Sequence, residues 1–415
     1  MNITKQKGTK DIYFEDISYW QKFEKAIKEV CDSHNVKEIR VPTFEATELF
    51  ARGVGDGTDI VNKEMYTFID RGERSITLRP EFTAGVVRAY IENGFSSRPS
   101  PIKLWYNGPV FRYEKMQKGR YREFRQFGVE IFGSKSYLAD LETIVIAKEI
   151  LEKVGLYDDL KLKINSIGCT ECRRKYTETL REYLKDKIAN MCDDCKVRYE
   201  KNIMRIIDCK EDIEVKKNMP MITDCLCENC KKDFEDLKSG LESLGIDYEI
   251  DKTIVRGLDY YNGAVFEFAS KDLDLSVGGG GRYDGLIELL GGASVPATGF
   301  AFGMDRIVLL MQEKEMKLED NLDAYIVTSS KEEYFRAYNL MTKLRKLGVS
   351  CDIDIMDRCF NAQLKYASKV NAKFCIIIGE DEVKNNMVQI KNMNTGNQVT
   401  ADFDEKVIKK CLEIV

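Results

Sequence analysis

The stretch Phe111–Glu130 interleaves arginine and lysine with aromatic residues, a combination that suits the binding of a polyphosphate. Guanidinium groups stay charged and can bind phosphate oxygens through two parallel hydrogen bonds. The arginines do not follow the i, i+4 pairing with glutamate that stabilises a charged helix, and the flanks alternate apolar with polar residues. The pattern therefore predicts a β-hairpin with Arg112 and Gln126 on one sheet face and a cationic tip at MQKGR. The alternative is a surface hairpin with a basic tip.

A second group of candidate residues lies upstream, in SITLRPEFTAGVVRAY. The segment from Phe82 to Gly94 has the pattern of a helix that ends at a glycine, with Glu81 just before it and Thr83 at its start. The Glu81 carboxylate either caps this helix or binds the ammonium group of an amino acid. The sequence has no GxxxxGK[ST] loop and no GxGxxG between a strand and a helix, so a nucleotide site would be built from arginine side chains.

Cysteines are concentrated in one part of the chain, where eight of the thirteen fall between Cys169 and Cys230. A cytosolic chain keeps its thiols reduced, so the clustering favours metal ligation over disulfides. Two Cys-x2-Cys pairs separated by nineteen residues match zinc-ribbon spacing and predict one structural zinc ion. The predicted ligands are Cys169, Cys172, Cys192 and Cys195. The later cysteines exceed what one zinc needs, and the alternative is that some are small buried residues.

Other predicted elements would position these groups. Apolar residues recur with helical spacing between Asp16 and Asn35. TIVRGLDYYNGAVFEFAS has the pattern strand, turn, strand, with Asn-Gly at the turn. The glycines of SVGGGGRYDGL suit a backbone that packs closely against a ligand or another strand. ATGFAFGMDRIVLLMQ predicts a strand that enters a helix, with Arg306 near the start of that helix.

The pattern changes after the charged linker QEKEMKLEDN. Three short apolar strands, DAYIVTSS, SCDIDI and KFCIIIG, alternate with helical segments, which predicts βαβ units on a parallel sheet. MVQIKNMNTGNQVTADF adds a hairpin. The last 95 or so residues therefore form a separate α/β domain, whose function the fold alone does not assign.

Composition limits the class of protein. A chain of 415 residues predicts two or three domains, and 43% hydrophobic with 32% charged residues is typical of a globular protein. No apolar run reaches about 18 residues and the N-terminus lacks an apolar signal core, so we predict a cytoplasmic protein with no membrane partner. The net charge of −5 means that a nucleic acid would have to meet local basic patches.

Together with RGLDYY, GGGGRYDGL and GFAFGMDRI, these segments resemble class II aminoacyl-tRNA synthetases, and closely the histidyl-tRNA synthetase family, from KGTKDIYFED to the C-terminus. The resemblance implies an α+β fold. An antiparallel-sheet catalytic domain over residues 1–318 would be interrupted by a cysteine-rich insertion domain over 167–250. A C-terminal α/β anticodon-binding domain would occupy residues 322–415. It also implies a homodimer, formed through the region around Pro42.

The implied activity is the activation of L-histidine with ATP and Mg²⁺ and its transfer to tRNA(His). The substrate carboxylate is then the nucleophile, so no catalytic nucleophile is needed, and His34, the single histidine of the chain, is predicted to be structural. The alternative is a regulatory paralogue of histidine biosynthesis that binds histidine without acylating tRNA. Such paralogues usually lose the motif arginines, which this chain keeps.

The resemblance also implies roles for individual residues. The residues implied to bind ATP are Arg112, Glu114, Arg120 and Arg306, and the implied catalytic residues are Arg112 and Arg256. The residues implied to bind histidine are Glu81, Thr83, Arg112, Gln126, Glu130, Arg256, Tyr260 and Tyr261. Lys115 and Gln117 are implied to contact the acceptor end of tRNA, although EKMQ here replaces the family's frequent ERPQ.

Overall fold

The structure is a computed structural model of the chain, and it describes residues 3–55, 58–209, 211–254, 258–271, 276–316 and 322–414. The chain divides into two compact units, Met1–Met316 and Lys317–Val415. Within the described ranges, no helix combines the length and the apolar composition needed to cross a bilayer.

The first unit contains a large sheet, a small sheet and the helices that cover them. Its strands are β1 (Lys37–Glu38), β2 (Phe44–Ala46), β3 (Tyr66–Ile69), β4 (Ser75–Leu78), β5 (Ile102–Phe111), β6 (Glu123–Phe132), β7 (Leu160–Ser166), β8 (Glu249–Ile250), β9 (Asn262–Ser270), β10 (Ser276–Arg282) and β11 (Ala297–Gly303). Its α-helices are α1 (Glu15–Ser33), α2 (Thr47–Val54), α3 (Thr83–Glu92), α4 (Tyr137–Lys153), α5 (Thr170–Leu184), α6 (Asp193–Lys201), α7 (Ile213–Lys217), α8 (Glu228–Ser243), α9 (Leu286–Leu289) and α10 (Met304–Glu313).

The large sheet has eight strands in the order β1-β5-β6-β11-β10-β9-β7-β8. The six central strands pair antiparallel, and the short edge strands β1 and β8 pair parallel with β5 and β7. The small sheet has the order β2-β4-β3. The cysteine-rich segment lies between β7 and β8 and contains α5 to α8.

The β-hairpin predicted around Arg112 is confirmed. Strands β5 and β6 pair antiparallel with Phe111 opposite Glu123 and Gly108 opposite Gln126. Side chains alternate between the two faces of β6. Phe127, Val129 and Ile131 join the buried cluster formed with α1, α4 and α10. The residues between them point to the other face, so one face of the hairpin is packed in the core and the other is available for a ligand.

The close packing predicted for the glycine-rich strand is also confirmed. A Cβ atom at Gly280 of β10 would lie 1.9 Å from the carbonyl oxygen of Gly299 in β11. No side chain fits there, because the two backbones approach too closely.

The predicted turn at Asn262-Gly263 is wrong. These residues begin β9, because Gly263 donates a backbone hydrogen bond to Gly168 and accepts one from Ile167.

The second unit contains β12 (Ala324–Thr328), α11 (Tyr334–Lys346), β13 (Cys351–Ile353), α12 (Phe360–Lys369), β14 (Phe374–Ile378), α13 (Glu380–Asn385), β15 (Met387–Asn392), β16 (Gln398–Asp402) and α14 (Glu405–Ile414). Its sheet has the order β13-β12-β14-β15-β16, with β12 parallel to both β13 and β14. Strands β15 and β16 pair antiparallel. The predicted βαβ units and the final hairpin are therefore confirmed.

His34 follows helix α1 and forms an ionic cluster there. Its Nδ1 lies 3.2 Å from a carboxylate oxygen of Glu142, and its Nε2 lies 2.9 Å from one of Glu149. Burial alone would lower the pKa of His34, but the two carboxylates outweigh it and raise the pKa above its usual range. Because the ring bonds neighbouring helices together, the predicted structural role agrees with its position.

We expect this cluster to stabilise the protein most at low pH. A histidine whose pKa is raised on folding contributes its full stabilisation below the unfolded pKa of about 6.5 and loses it as the pH rises through the folded pKa. Replacing His34 with glutamine should therefore cost up to about 1 kcal/mol near pH 5.5 and much less near pH 8.5. Denaturant titrations of both proteins at the two pH values would measure this difference. An equal cost at both would contradict the ionic role.

Candidate active site

The ligand-facing side of the hairpin lines a cavity of about 350 Å³ between strands of the large sheet and the loops above them. Side chains from β6, α3, α10, the hairpin tip and the segment before β9 converge on it. The predicted residues that line this cavity are Glu81, Thr83, Arg112, Glu114, Arg120, Gln126, Glu130, Tyr260, Tyr261 and Arg306.

Glu81 lies at the start of helix α3. Its carboxylate accepts hydrogen bonds from the backbone N–H groups of Thr83, at 2.6 Å, and Ala84, at 2.9 Å. Capping and ligand binding are therefore compatible. The helix N-terminus holds the carboxylate in place while the same buried side chain faces the cavity.

Glu130 has the most buried carboxyl group of the cavity, at 1% exposure. Three hydroxyl groups donate hydrogen bonds to it: Thr83 at 2.8 Å, Tyr106 at 3.0 Å and Tyr283. Burial nevertheless raises the pKa of Glu130 to about 8, and those hydrogen bonds only partly offset this. Gly299 makes room for the carboxylate, since a Cβ there would lie 1.9 Å from Oε2 of Glu130.

Tyr260 and Tyr261 form one wall of the site, and Tyr283 packs behind them. The ring of Tyr260 lies 4.7 Å from that of Tyr261 and 5.5 Å from that of Tyr283, measured between centroids. Burial raises the pKa of Tyr260 and of Tyr283 well above the usual range, so both hydroxyl groups remain protonated. The acidic end of the cavity thus combines two carboxylates with aromatic faces and hydroxyl groups, a combination that binds a cationic or N–H-rich ligand.

Arg120 belongs to a cationic end of the cavity, and Arg112 lies between that end and the carboxylate of Glu81. Arg112 follows β5 directly, and its Nε donates a hydrogen bond of 2.8 Å to the carbonyl oxygen of Pro80. Arg120 lies in the hairpin tip, where its Nε is 2.9 Å from a carboxylate oxygen of Glu114. Glu114 also lies 3.9 Å from Nη1 of Arg112, so one carboxylate is shared between two guanidinium groups.

Arg306 completes this end from helix α10. Its Nη1 donates a hydrogen bond of 2.5 Å to the carbonyl oxygen of Ser276. Burial lowers the pKa of Arg306, and the nearby positive charge of Arg120 lowers it further. The close approach of these cations is unfavourable by itself and becomes favourable when a polyanion lies between them.

Two predicted residues lie outside the cavity lining. Lys115 and Gln117 lie in the hairpin tip, exposed and outside the cavity lining. Gln117 forms a turn there, its carbonyl oxygen accepting a 2.9 Å hydrogen bond from the N–H of Arg120. Arg256 falls outside the described residues.

The structure adds two site residues that sequence reasoning missed, Tyr106 and Tyr283. Both donate hydrogen bonds to Glu130 from inside the protein. Tyr106 lies within an apolar strand pattern that predicts only core packing. Tyr283 directly follows the glycine-rich strand, in the GGGGRYDGL segment, and its position next to that strand could have indicated a site residue.

The predicted zinc ligands do not come together as one site. Cys169 and Cys172 group with Cys227 and Cys230, whereas Cys192 and Cys195 group with Cys209 and Asp212. The prediction of a single site with ligands Cys169, Cys172, Cys192 and Cys195 is therefore wrong. Spacing along the chain favoured consecutive pairs, but the helices between the pairs bring the first pair next to the last.

Known families match nearly the whole chain. A family model described as histidyl-tRNA synthetase matches residues 8–307, and one described as an anticodon-binding domain matches residues 323–413. The histidine–tRNA ligase of Acetivibrio thermocellus is 48% identical over 404 residues, which cover 96% of this chain and 97% of that protein. The histidine–tRNA ligase of Caldanaerobacter subterraneus is 49% identical over 97% of this chain and 98% of its own length.

Solved structures agree. The crystal structure of apo histidyl-tRNA synthetase from S. aureus superposes with a TM-score of 0.82 at 40% identity, covering 99% of both chains. A Bacillus halodurans structure titled as an ATP phosphoribosyltransferase regulatory subunit/histidyl-tRNA synthetase has a TM-score of 0.67 at 22% identity, over 91% of this chain and 98% of its own, and shares the fold. Because the family model covers most of the chain and relatives of that name are nearly half identical over almost its full length, this chain belongs to the histidyl-tRNA synthetase family.

Proposed function

We propose that this protein is an ATP-dependent ligase that activates L-histidine as histidyl-adenylate and transfers it to tRNA(His). The observation that carries the proposal is the distribution of charge in one cavity, with Glu81 and Glu130 in one part, Arg120 and Arg306 in another, and Arg112 between them. An amino acid and a triphosphate placed end to end match this distribution of charge. A regulatory protein that only binds histidine would not need three arginines to bind a triphosphate.

In the first step, a carboxylate oxygen of histidine attacks the α-phosphorus of ATP, a new oxygen–phosphorus bond forms, and pyrophosphate leaves. The nucleophile is already ionised, so the protein needs only to position the reactants and to stabilise the charge on the transferring group. Arg112 is proposed to bridge the substrate carboxylate and the α-phosphate. Arg120 and Arg306 would hold the outer phosphates. By its place in RGLDYY, Arg256 is proposed as the second catalytic arginine.

Magnesium fits the cationic end through the carboxylates that line it. Glu114 and Glu267 both line the cavity, and carboxylate oxygens are the ligands that Mg²⁺ prefers. When bound, the ion would neutralise phosphate charge. The arginines would still orient the triphosphate.

In the second step, a ribose hydroxyl of the terminal adenosine of tRNA attacks the carbonyl carbon of the adenylate, and AMP leaves. We propose that Lys115 and Gln117 contact the acceptor end, because both are exposed on the hairpin tip next to Arg120. The second unit is proposed to bind the anticodon, on the basis of its family match.

A homodimer is proposed from an apolar surface on the first unit. Phe44 and Phe68 lie on one face of the small sheet, opposite Leu78 and Ile76 of β4, and are 56% and 47% exposed. Large apolar side chains grouped on one sheet are typical of a surface that another chain covers. Light scattering combined with size-exclusion chromatography would measure the mass; a monomer at micromolar concentration would contradict the dimer.

The proposed function is tested by histidine-dependent exchange of labelled pyrophosphate into ATP, measured with each of the twenty amino acids. We expect exchange with histidine alone, followed by charging of tRNA(His) transcript. Histidine binding without exchange would favour the regulatory alternative, and exchange with another amino acid would contradict the proposed substrate.

We also expect histidine binding to release a proton. A carboxylate that accepts hydrogen bonds from the N–H groups of histidine must be ionised, and the pKa of about 8 leaves Glu130 largely protonated at neutral pH in the free protein. Affinity should therefore rise with pH and level off above the pKa, gaining up to about twentyfold between pH 6.5 and pH 8.5. Calorimetry in two buffers of different ionisation enthalpy measures both quantities. Affinity that does not change with pH would rule out the coupling.

A further inference from the structure

We propose that the cysteine-rich segment binds two zinc ions, in two separate sites. The first site consists of Cys169, Cys172, Cys227 and Cys230. The second site consists of Cys192, Cys195, Cys209 and Asp212. In each site the four candidate ligand atoms lie within 4.8 Å of one another, and no residue belongs to both.

The spacing of the ligands in the sequence supports two separate sites. Each site is built from two pairs with the same spacing, Cys-x2-Cys twice in the first site, and Cys-x2-Cys with Cys-x2-Asp in the second. Three of the four pairs begin a helix, with Cys169, Cys192 and Cys227 at the N-caps of α5, α6 and α8. Helix N-termini stabilise negative charge, which favours the thiolate form that zinc needs.

Distances in the first site fit a tetrahedral ion. The sulphur atoms of Cys169 and Cys172 are 3.5 Å apart. Zinc–sulphur bonds of about 2.3 Å in a tetrahedron place neighbouring sulphur atoms about 3.8 Å apart, whereas a disulfide bond is about 2.05 Å long. The backbone N–H of Cys227 donates a hydrogen bond of 3.1 Å to the sulphur of Cys172, so the two halves of the site are already connected.

Distances in the second site fit a mixed set of ligands. The sulphur atoms of Cys192 and Cys209 are 3.7 Å apart, and the sulphur of Cys209 lies 3.5 Å from Oδ2 of Asp212. The shorter second distance agrees with a zinc–oxygen bond, which at about 2.0–2.2 Å is shorter than a zinc–sulphur bond. Backbone N–H groups of Cys195, Glu211 and Asp212 each donate a hydrogen bond of 3.4 Å to a ligand sulphur.

The chemistry of the ligands favours zinc in both sites. Four thiolates are typical of structural zinc, a carboxylate oxygen is also a zinc ligand, and closed sets of four leave no position for a reacting water. The ligands of a four-iron cluster surround a whole cube of iron and sulphide, so their sulphur atoms stand further apart than the ligands of a single ion.

The first site lies beside the proposed active site. Its ligand Cys169 follows Gly168, whose carbonyl oxygen accepts a 2.9 Å hydrogen bond from the N–H of Gly263 at the start of β9. Arg173, on the same helix as Cys172, donates a hydrogen bond of 3.3 Å to the carbonyl oxygen of Tyr261. A metal ion here would fix the start of α5 against β9 and against Tyr261, which directly precedes that strand.

The test is the metal content of the reduced full-length protein, measured by inductively coupled plasma mass spectrometry. We expect two zinc ions per chain in the natural protein, and one in each of the variants Cys230→Ser and Cys209→Ser. The matched control is Cys225→Ser, because Cys225 lies in the same segment and belongs to neither site, so two ions should remain. One zinc ion or none in the natural protein, or iron in place of zinc, would overturn the proposal.

X-ray absorption at the zinc edge gives a second test that needs no variant and so does not depend on how a variant folds. Seven thiolates and one carboxylate shared by two ions give an average of about 3.5 sulphur and 0.5 oxygen neighbours per zinc. A coordination of four sulphur atoms with no oxygen would contradict the second site. Neither measurement depends on the ligase activity.

Discussion

Replacing Arg112 with alanine is expected to lower the rate of histidine-dependent pyrophosphate exchange by about 10³-fold or more, because arginines that stabilise a transferring phosphoryl group contribute on that scale. The structure gives Arg112 a fixed position. Its Nε is bound to the carbonyl oxygen of Pro80, and its guanidinium lies between the acidic and the cationic parts of the cavity. Steady-state exchange kinetics with both substrates varied would measure the loss, which should appear mainly in kcat.

The control is Arg74→Ala, which also removes one arginine that forms an ion pair. Arg74 pairs with Asp70 on the surface and is 76% exposed in its side chain, so activity and thermal stability should hardly change. Arg112→Lys should recover only a small part of the activity, because an ammonium group cannot make two parallel hydrogen bonds to phosphate. Exchange by Arg112→Ala within about tenfold of the natural rate would disprove the proposed bridging role.

Replacing Glu130 with glutamine is expected to raise the Michaelis constant for histidine by about 10²-fold while leaving that for ATP within a few-fold. The charged acceptor is lost from a site that excludes water, and hydrogen bonds to charged groups are the stronger ones. The fold should survive, because glutamine has nearly the same shape and its carbonyl oxygen can accept from Thr83 and Tyr106. Exchange kinetics and thermal unfolding of the same sample would separate the two effects.

Two further observations make the Glu130 prediction specific. The pH dependence of histidine affinity should disappear in Glu130→Gln, because the group whose pKa is raised to about 8 is gone. Tyr106→Phe, which removes one donor to the same carboxylate and leaves the charge in place, should weaken histidine binding far less. If the Michaelis constants for histidine and ATP rose equally, Glu130 would be a general structural residue instead of a histidine ligand.

Local sequence patterns determined those secondary-structure elements that depend on residues close together in the chain. The β5–β6 hairpin, helix α1 and the parallel strands of the second unit follow from alternation or helical spacing of apolar residues. The same holds for the glycine strand, where a run of residues without side chains allows only close backbone packing. The prediction of a turn at Asn262-Gly263 was wrong because Gly263 forms backbone hydrogen bonds with Gly168 and Ile167, which are far away in the chain.

Only the tertiary structure decided which distant groups meet. The sequence identified the arginines and glutamates of the cavity through family motifs, but it could not indicate that Tyr106 and Tyr283 donate to Glu130, since strand pairing brings them there. It also identified the thiols and misassigned their partners. Metal ligands are chosen by distances of a few ångströms in space, and helices α5 to α8 place Cys169 beside Cys230 instead of the nearer pair in the chain. Residue types determined the chemistry, and chain packing determined the ligand sets.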